Sequence, residues 1–282
     1  MARPGAAIFD LDRTLIATSS APVFQRHLAE RGLGDLPDIP LVDAYLRFYE
    51  LFGESWVMMQ PARLGARTAR GWPVGAVTQA AVAAADEIAD QLLQPFAPEL
   101  FDEHRAAGRS LVLATTSPEP WVAPLAERLG FDAVVATRWV ADGGVFTGEI
   151  EGAFVWGRAK ADAVRAWSDA NDVALERSFA YSDSYFDAPL LSAVGHPVAV
   201  NPDPRLQALG ALPGWPVRHL DKPEGVIKVL GREIQEWGRA LMREDLMPLA
   251  RFRFDGVETV PADGAAILVF NHRSYFDVTA MG

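Results

Sequence analysis

Cysteine is absent from the 282-residue sequence. Its absence excludes disulfide bonds, thiolate nucleophiles and cysteine-ligated zinc, and it is typical of a reducing compartment, so we expect a cytoplasmic protein. Long hydrophobic runs are also missing, because the longest clean apolar runs, among them Ala265 to Phe270, are too short to span a bilayer. The first residues likewise contain no apolar stretch long enough for a secretory signal.

Basic residues are in the minority. The sequence has 26 Lys and Arg against 37 Asp and Glu, which gives a formal net charge of −11. This balance disfavours a nucleic-acid-binding protein, which would have to neutralise many phosphates. An acidic chain can still bind a phosphorylated small molecule through a bound cation. With 50% hydrophobic and 22% charged residues, the composition is that of a globular protein with a sizeable core.

Short apolar runs alternate with helical patterns over much of the chain. Ala6 to Phe9 is a continuous apolar run closed by Asp10, which is typical of a strand buried on both faces of a parallel sheet. Four similar runs follow it: Ser110 to Ala114, Ala133 to Ala136, Ser178 to Tyr181 and Pro197 to Val200. This alternation predicts a doubly wound parallel α/β sheet.

The remaining segments follow other patterns. Residues 17–98 have a helical period and predict a helical cap inserted between the first and second strands of a core formed by residues 1–16 and 99–220. Residues 138–152 predict a β-hairpin around a Gly-Gly turn. An apolar stripe at helical spacing predicts a linker helix within residues 221–250.

Paired carboxylates follow the first predicted strand. Asp10 and Asp12 are two residues apart where a strand ends, which is the edge at which α/β sheets collect their reactive groups. One carboxylate can attack as a nucleophile while the other transfers the proton of the leaving group. Taken alone, the pattern is more simply explained as a solvated acidic turn.

Further polar residues follow later strands. Thr115 could hold an anion, although Ser117 nearby could simply cap the next helix. Lys160 could supply positive charge, although a single helix lysine is usually a solvated surface residue. Asp183 and Asp187 follow another strand and, with Asp10, would form an oxygen-rich cluster of the kind that binds Mg²⁺.

The ordered motifs resemble those of a known family. Asp10-x-Asp12-x-Thr14, Thr115, Lys160 and Asp183 with Asp187 are similar to the four motifs of the haloacid dehalogenase superfamily of phosphohydrolases. The helical insertion resembles the cap of subfamily IB, which contains phosphoserine phosphatase. The resemblance implies a Rossmann-like core that hydrolyses a small phosphorylated substrate through an aspartyl-phosphate.

The resemblance also implies roles for the individual residues. Asp10 would attack phosphorus, and Asp12 would protonate the leaving oxygen and later activate water. Mg²⁺ would be bound by Asp10, by the backbone carbonyl of Asp12 and by Asp183, together with the substrate phosphate. Thr115 and Lys160 would hold the phosphate oxygens. Asp187 would support Lys160 or a metal-bound water.

Two departures from the phosphoserine phosphatase pattern make phosphoserine a doubtful substrate. Ser19 stands where those enzymes carry a glutamate for the substrate amine, and Thr116-Ser117 replace a pair of glycines. Three arginines of a predicted cap helix could face an anionic leaving group, although a solvated basic face is the simpler interpretation: Arg63, Arg67 and Arg70.

The end of the chain carries a second pattern. His272 and Asp277 are separated by four residues after an apolar run, which resembles the H-x4-D motif of glycerolipid acyltransferases. The resemblance implies that residues 251–282 are the truncated start of a lysophosphatidic acid acyltransferase-like domain. Both residues should then be inactive here, and peripheral membrane association would occur only in a full-length fusion. The alternative is a chance match.

The sequence therefore favours a Mg²⁺-dependent phosphomonoester hydrolase, the phosphatase part of a bifunctional hydrolase and 1-acylglycerol-3-phosphate acyltransferase. The alternative is a catalytically weak hydrolase-like module that supports a membrane-associated acyltransferase. Dehalogenase chemistry on the same scaffold is disfavoured, because Asp12 supplies the acid and base that phosphate transfer uses.

Overall fold

The computed structural model describes residues 3–34, 59, 64–221, 228–229 and 232–233. Met1–Glu224 form one compact unit and Gly225–Gly282 a second. Among its described residues, the first unit has seven strands: β1 Ala6–Phe9, β2 Ser110–Pro118, β3 Ala133–Asp142, β4 Val145–Glu151, β5 Phe179–Ser182, β6 His196–Val200 and β7 Val217–Arg218. Its α-helices are α1 Ala21–Ala29, α2 Val74–Glu87, α3 Ala97–Ala106, α4 Glu119–Leu129, α5 Arg158–Ala170, α6 Ala188–Leu191 and α7 Pro204–Ala211.

The seven strands form one sheet in the order β4-β3-β2-β1-β5-β6-β7. All neighbouring strands are parallel except β3 and β4, which form an antiparallel hairpin at the edge. The predicted fold class and the predicted hairpin are therefore confirmed, with one antiparallel edge strand on an otherwise parallel sheet. Because β1 is central, with β2 on one side and β5 on the other, its carboxyl end lies at the switch point where such sheets bind ligands.

Each central strand is buried on both faces. In β1, Ala7 and Phe9 pack on one side of the sheet, while Ala6 and Ile8 pack on the other. Successive side chains of a strand point to opposite faces, and both faces of β1 are buried, so every position in the run is apolar. Helices α3 and α4 cover the first side, and α5, α6 and α7 cover the second. Burying a side chain as large as Phe9 contributes roughly 2–3 kcal/mol.

The predicted helical insertion packs against the edge hairpin. The Phe146 backbone N–H in β4 donates to the Trp72 carbonyl at 3.0 Å, and the Gly71 N–H donates to the Phe146 carbonyl at 2.8 Å. The Val74 N–H, at the start of α2, donates to the carbonyl of Gly144 in the hairpin turn at 3.0 Å. Three backbone hydrogen bonds thus join the insertion to the hairpin.

A glycine permits this close approach. Gly148 in β4 has φ +86°, and a Cβ there would lie 3.0 Å from the Arg70 Cβ and 3.4 Å from the Arg67 Cα. Any larger residue would be strained by its backbone and would also push the insertion away from the hairpin. The boundaries assigned to the core and to the cap from the sequence stay a prediction.

The linker helix predicted within residues 221–250 is wrong at four positions. Lys228–Val229 and Arg232–Glu233 form a two-stranded antiparallel pair, β8 and β9, in the second unit. Leu230 and Gly231 separate these strands in the sequence, and glycine has the lowest helix propensity after proline, so the helical period is a weak signal there. The rest of the predicted linker helix and residues 251–282 lie outside the described residues. In the part of the chain that is described, no helix is long and apolar enough to cross a membrane.

His104 forms a buried hydrogen-bonded network with Tyr181 and Arg109. Its Nε2 lies 2.7 Å from the Tyr181 hydroxyl, and Arg109 Nη1 lies 3.2 Å from its Nδ1. The guanidinium can only donate, so Nδ1 accepts and the ring is neutral, with its proton on Nε2. Burial, and then the charge of Arg109, lowers the pKa of His104 to about 4. Protonation of His104 Nδ1 would place its N–H against the N–H of Arg109, and it would place the imidazolium charge beside the guanidinium charge.

This network predicts a pH-dependent stability. The pKa of His104 in the folded protein, about 4, lies below its unfolded value of about 6.5. His104 therefore stabilises the fold fully above about pH 6.5, and this stabilisation is lost as the pH falls toward about 4. Between about pH 7.5 and pH 5, wild type should lose on the order of 2 kcal/mol more unfolding free energy than His104→Gln. Urea unfolding at both pH values measures this difference. Equal losses in the two proteins would contradict it, and exposed His196→Gln is the matched control.

Candidate active site

A compact loop places two carboxylates at the end of β1. The Asp10 backbone N–H donates to the carbonyl of Tyr181 in β5 at 3.0 Å, which continues the sheet pairing up to the first carboxylate. The Leu11 carbonyl then accepts hydrogen bonds from three consecutive N–H groups, those of residues 14 to 16, at 2.9–3.3 Å. This turn holds the Asp10 side chain at the switch point, where it is buried.

Lys160 is a buried cation of the site. Its Nζ lies 2.7 Å from Asp10 Oδ1 and 2.8 Å from Asp187 Oδ2, and its side chain is only 1% exposed. A buried ammonium of this kind persists only when it is paired, and here it is paired twice. The interpretation of Lys160 as a solvated surface residue is therefore excluded.

The start of α5 aims Lys160 at the site. Gly157 precedes the helix with φ +58° and ψ −125°, a combination that residues with a Cβ essentially do not adopt. The Lys160 N–H donates to the Gly157 carbonyl at 3.1 Å, so the lysine lies in the first turn of α5. From there its side chain points toward the amino-terminal end of the helix.

Thr14 connects Asp10 to Asp183. The Thr14 hydroxyl lies 3.2 Å from Asp10 Oδ2 and 3.2 Å from Asp183 Oδ1, and it accepts the Asp183 backbone N–H at 3.0 Å. The second oxygen of Asp183, Oδ2, lies 3.2 Å from Arg13 Nε. Both carboxylates are therefore oriented by residues of the loop after β1.

Asp12 is held by serines from two segments. Its Oδ1 accepts the Ser20 backbone N–H at 2.6 Å, and the Ser117 side chain is also hydrogen-bonded to its carboxyl. Burial raises the pKa of Asp12, and the hydrogen bonds and the positive charge of Lys160 only partly oppose this rise. A carboxyl with a raised pKa is suited to donate a proton to a leaving group.

Thr115 lies within β2 rather than after it. The strand extends to Pro118, with a register shift against β3 between Ala114 and Pro118. The buried Thr115 Oγ1 accepts the Ser117 N–H at 3.2 Å, and α4 begins without a side-chain cap. The interpretation of Ser117 as a helix cap is therefore wrong, because its side chain is directed to Asp12 instead.

Asp187 contains an unsatisfied oxygen. Its Oδ2 accepts from the Ser182 hydroxyl at 2.8 Å as well as from Lys160, whereas its fully buried Oδ1 has no hydrogen-bond partner among the described residues. A buried carboxylate oxygen is costly unless something binds it. An ordered water would satisfy it.

Most of the predicted site residues are thus brought together. Lys160 contacts Asp10 and Asp187, Thr14 joins Asp10 to Asp183, and Asp12 interacts with the charge of Lys160. The catalytic, phosphate-binding and metal-binding roles assigned to these residues stay predictions. Three residues that contact the predicted set have no role predicted from the sequence, namely Arg13, Ser20 and Ser182, and Ser117 has a different role from the predicted helix cap.

Other predicted candidates lie elsewhere. Arg67 and Arg70 are exposed, in agreement with the solvated-face interpretation. Arg63, His272 and Asp277 fall outside the described residues, so the acyltransferase-like motif stays a prediction.

The fold and the site together define a Rossmann-like α/β protein with buried aspartates at the carboxyl end of its central strand. Residues 7–192 match the haloacid dehalogenase-like hydrolase family, and the chain belongs to that family. The resemblance seen in the four motifs is thereby confirmed at the level of the family.

Known proteins resemble this chain over most of its length. An "inhibition of morphological differentiation protein" of Streptomyces azureus is 39% identical over 222 residues, covering 77% of this chain and 79% of the relative. A Mycobacterium tuberculosis protein named as a phosphoserine phosphatase is 36% identical over 218 residues, covering 76% and 70%. The crystal structure of a Bordetella pertussis protein of unknown function superposes with a TM-score of 0.66 at 28% identity, covering 77% of this chain and 99% of that one.

Proposed function

We propose that this haloacid dehalogenase-type phosphatase is a Mg²⁺-dependent phosphomonoester hydrolase that acts through an aspartyl-phosphate on Asp10. The observation that carries the proposal is the contact between Asp10 and Lys160. It combines a buried carboxylate with a fully buried ammonium at the switch point of the sheet. A buried, charge-paired carboxylate at the switch point indicates a functional site, because a charge that is buried does not contribute to solubility.

Asp10 is the proposed nucleophile. The ammonium of Lys160 at 2.7 Å from Oδ1 favours the ionised carboxylate, which is the form able to attack phosphorus. Its second oxygen, Oδ2, is 3.2 Å from the Thr14 hydroxyl, so the carboxylate has a fixed orientation. Attack forms a bond from an Asp10 oxygen to phosphorus as the ester oxygen leaves with the bonding electrons. Water then hydrolyses the acyl phosphate and restores Asp10.

Asp12 is the proposed acid and base. Its raised pKa keeps the carboxyl protonated to a higher pH than an exposed aspartate, so that it can donate its proton to the departing oxygen. The resulting carboxylate can then take a proton from the water that attacks the acyl phosphate. Ser20 and Ser117 hold the carboxyl in one orientation during both steps.

The residues present fit a divalent cation. The site brings together four carboxylates, those of Asp10, Asp12, Asp183 and Asp187, with the cations Lys160 and Arg13. With Asp12 protonated, the other three carboxylates exceed these two cations by one negative charge, and Asp187 Oδ1 is buried without a hydrogen-bond partner among the described residues.

The proposed ligands of Mg²⁺ are two carboxylates, Asp10 and Asp183, and the Asp12 carbonyl. This set is compatible with the finding that no group of three or more acidic or imidazole side chains among the described residues could hold a metal ion. A Mg²⁺ ion held by these residues would supply Lewis-acid polarisation of the phosphate and would screen its charge from the carboxylates. Lys160 and Thr115 would hold phosphate oxygens.

A small phosphorylated molecule is the proposed substrate class. The relative named as a phosphoserine phosphatase supports this class. Ser19 is buried and neutral where a glutamate would meet a substrate amine, which disfavours phosphoserine itself. The proposal that residues 251–282 begin an acyltransferase-like domain rests on the pattern of His272 and Asp277 alone.

A panel of phosphomonoesters tests the proposed function. The purified protein should release phosphate from an aryl phosphate with added Mg²⁺, and chelation by EDTA should reduce the rate at least about 100-fold, restored by excess Mg²⁺. The ester that gives the highest kcat/KM identifies the substrate class. No release from any ester at saturating Mg²⁺ would favour the alternative of a catalytically weak module, and release unaffected by EDTA would exclude the metal.

A further inference from the structure

We propose that Arg13 is a built-in counterion of Asp183 that Mg²⁺ must displace, so that Arg13 sets the metal affinity of the site. The inference rests on the proposed function, because it concerns the same predicted metal ligand. It goes beyond that function by assigning a role to a residue outside the predicted catalytic set.

The geometry places the guanidinium on a metal-ligand oxygen. Arg13 Nε lies 3.2 Å from Asp183 Oδ2, while Asp183 Oδ1 is shared with the Thr14 hydroxyl at 3.2 Å. The Asp183 side chain is 6% exposed, so its charge is poorly solvated. A carboxylate in this environment needs a cation nearby. In the state seen here, Arg13 is that cation.

The backbone conformation of Arg13 is one that a smaller residue would adopt with less strain. Arg13 has φ +63°, in the left-handed region that glycine and asparagine adopt most readily and arginine adopts with strain. Its N–H donates to the Thr18 carbonyl at 3.2 Å, a hydrogen bond that any residue except proline could make. Strain at such a position is a reason to look for a function of the side chain.

The guanidinium and a metal ion compete for the same oxygen. Ligation of Asp183 Oδ2 to Mg²⁺ requires that Arg13 Nε leave, because two cations cannot share the oxygen at contact distance without strong repulsion. The Arg13 side chain is 22% exposed, whereas that of Lys160 is 1% exposed, so Arg13 is the cation that can move toward solvent. Metal binding then includes the cost of breaking one ion pair, and the affinity is lower than the ligand set alone would give.

Titration of the protein with MgCl₂ in a calorimeter tests the inference. Arg13→Asn removes the charge and fits the positive φ, so the Kd for Mg²⁺ should fall on the order of tenfold. Arg13→Lys keeps the charge, so its Kd should stay within about threefold of wild type. Arg165→Asn is the matched control, since it removes one positive charge from an exposed pair with Asp162. Its Kd should not change more than about twofold.

Several outcomes would overturn the inference. One is a Kd of Arg13→Asn that equals or exceeds the wild-type value, and another is equal tightening in Arg165→Asn. A raised KM for an aryl phosphate in Arg13→Asn with no change in the Kd for Mg²⁺ would make Arg13 a substrate-binding residue instead. Arg13→Gly, which also fits the positive φ, repeats the measurement if the asparagine variant does not fold.

Failure of the proposed function would look different. In that case wild type would neither hydrolyse an aryl phosphate nor bind Mg²⁺, and the inference would fall with it. If wild type does both and the Kd is indifferent to Arg13, only the inference fails.

Discussion

Asp10→Asn should reduce phosphate release from an aryl phosphate by roughly 10⁴-fold or more, since it removes the proposed nucleophile. Asparagine has nearly the same shape, and its carbonyl oxygen can still accept from Lys160, whose Nζ lies 2.7 Å from Asp10 Oδ1. The amide cannot attack phosphorus or form an acyl phosphate. The loss should therefore appear in kcat while the protein stays folded.

Two controls make the result interpretable. Asp162→Asn on the exposed face of α5 removes the same charge and should retain activity within about twofold. Thermal unfolding of Asp10→Asn should stay cooperative. Residual activity above about a tenth of wild type would show that another group attacks phosphorus, and the mechanism proposed above would be wrong.

Lys160→Met should reduce both the activity and the stability of the protein. The variant leaves Asp10 and Asp187 buried without the ammonium that lies 2.7 and 2.8 Å from them. Breaking a buried pair by removing one partner costs about 3–5 kcal/mol, and kcat/KM should fall about 10³-fold because the phosphate also loses its cation. Urea unfolding and aryl phosphate hydrolysis measure the two effects.

A second substitution separates the two effects. Lys160→Met combined with Asp187→Asn removes one of the two stranded charges, so it should recover on the order of half the lost unfolding free energy and none of the activity. Exposed Arg158→Met on the same helix is the control and should change neither quantity. Normal stability in Lys160→Met would mean that the lysine is not the counterion of these carboxylates in solution.

Much of the fold could be predicted because short segments of the sequence carry the pattern of each strand. A strand buried on both faces, such as Ala6–Phe9, must be apolar at every position, and a parallel strand must be followed by a crossover. The same logic placed Asp10 and Asp183 at one edge of the sheet. At Lys228–Val229 and Arg232–Glu233 the sequence has little β-strand pattern, and the apolar stripe predicts a helix where the structure has two short strands.

The contacts within the site could not be predicted in the same way. Nothing local marks Lys160 as buried, since a lysine on a helix is normally solvated and only the tertiary packing places it between two carboxylates. The positive φ of Arg13 and the hydrogen bond of Ser182 to Asp187 also depend on tertiary packing. The contact of Lys160 with Asp10 joins residues of two distant segments, and no pattern within one segment encodes it.

The ion pair of Asp10 with Lys160 joins residues that are 150 positions apart in the chain. Synthesis delivers the proposed nucleophile first and Lys160 much later, and Asp187, the second carboxylate paired with Lys160, later still. A nascent chain therefore carries a carboxylate that lacks its partners until the second half of the core has left the ribosome. The proposed site can therefore be complete only after the chain has been synthesised at least as far as Asp187.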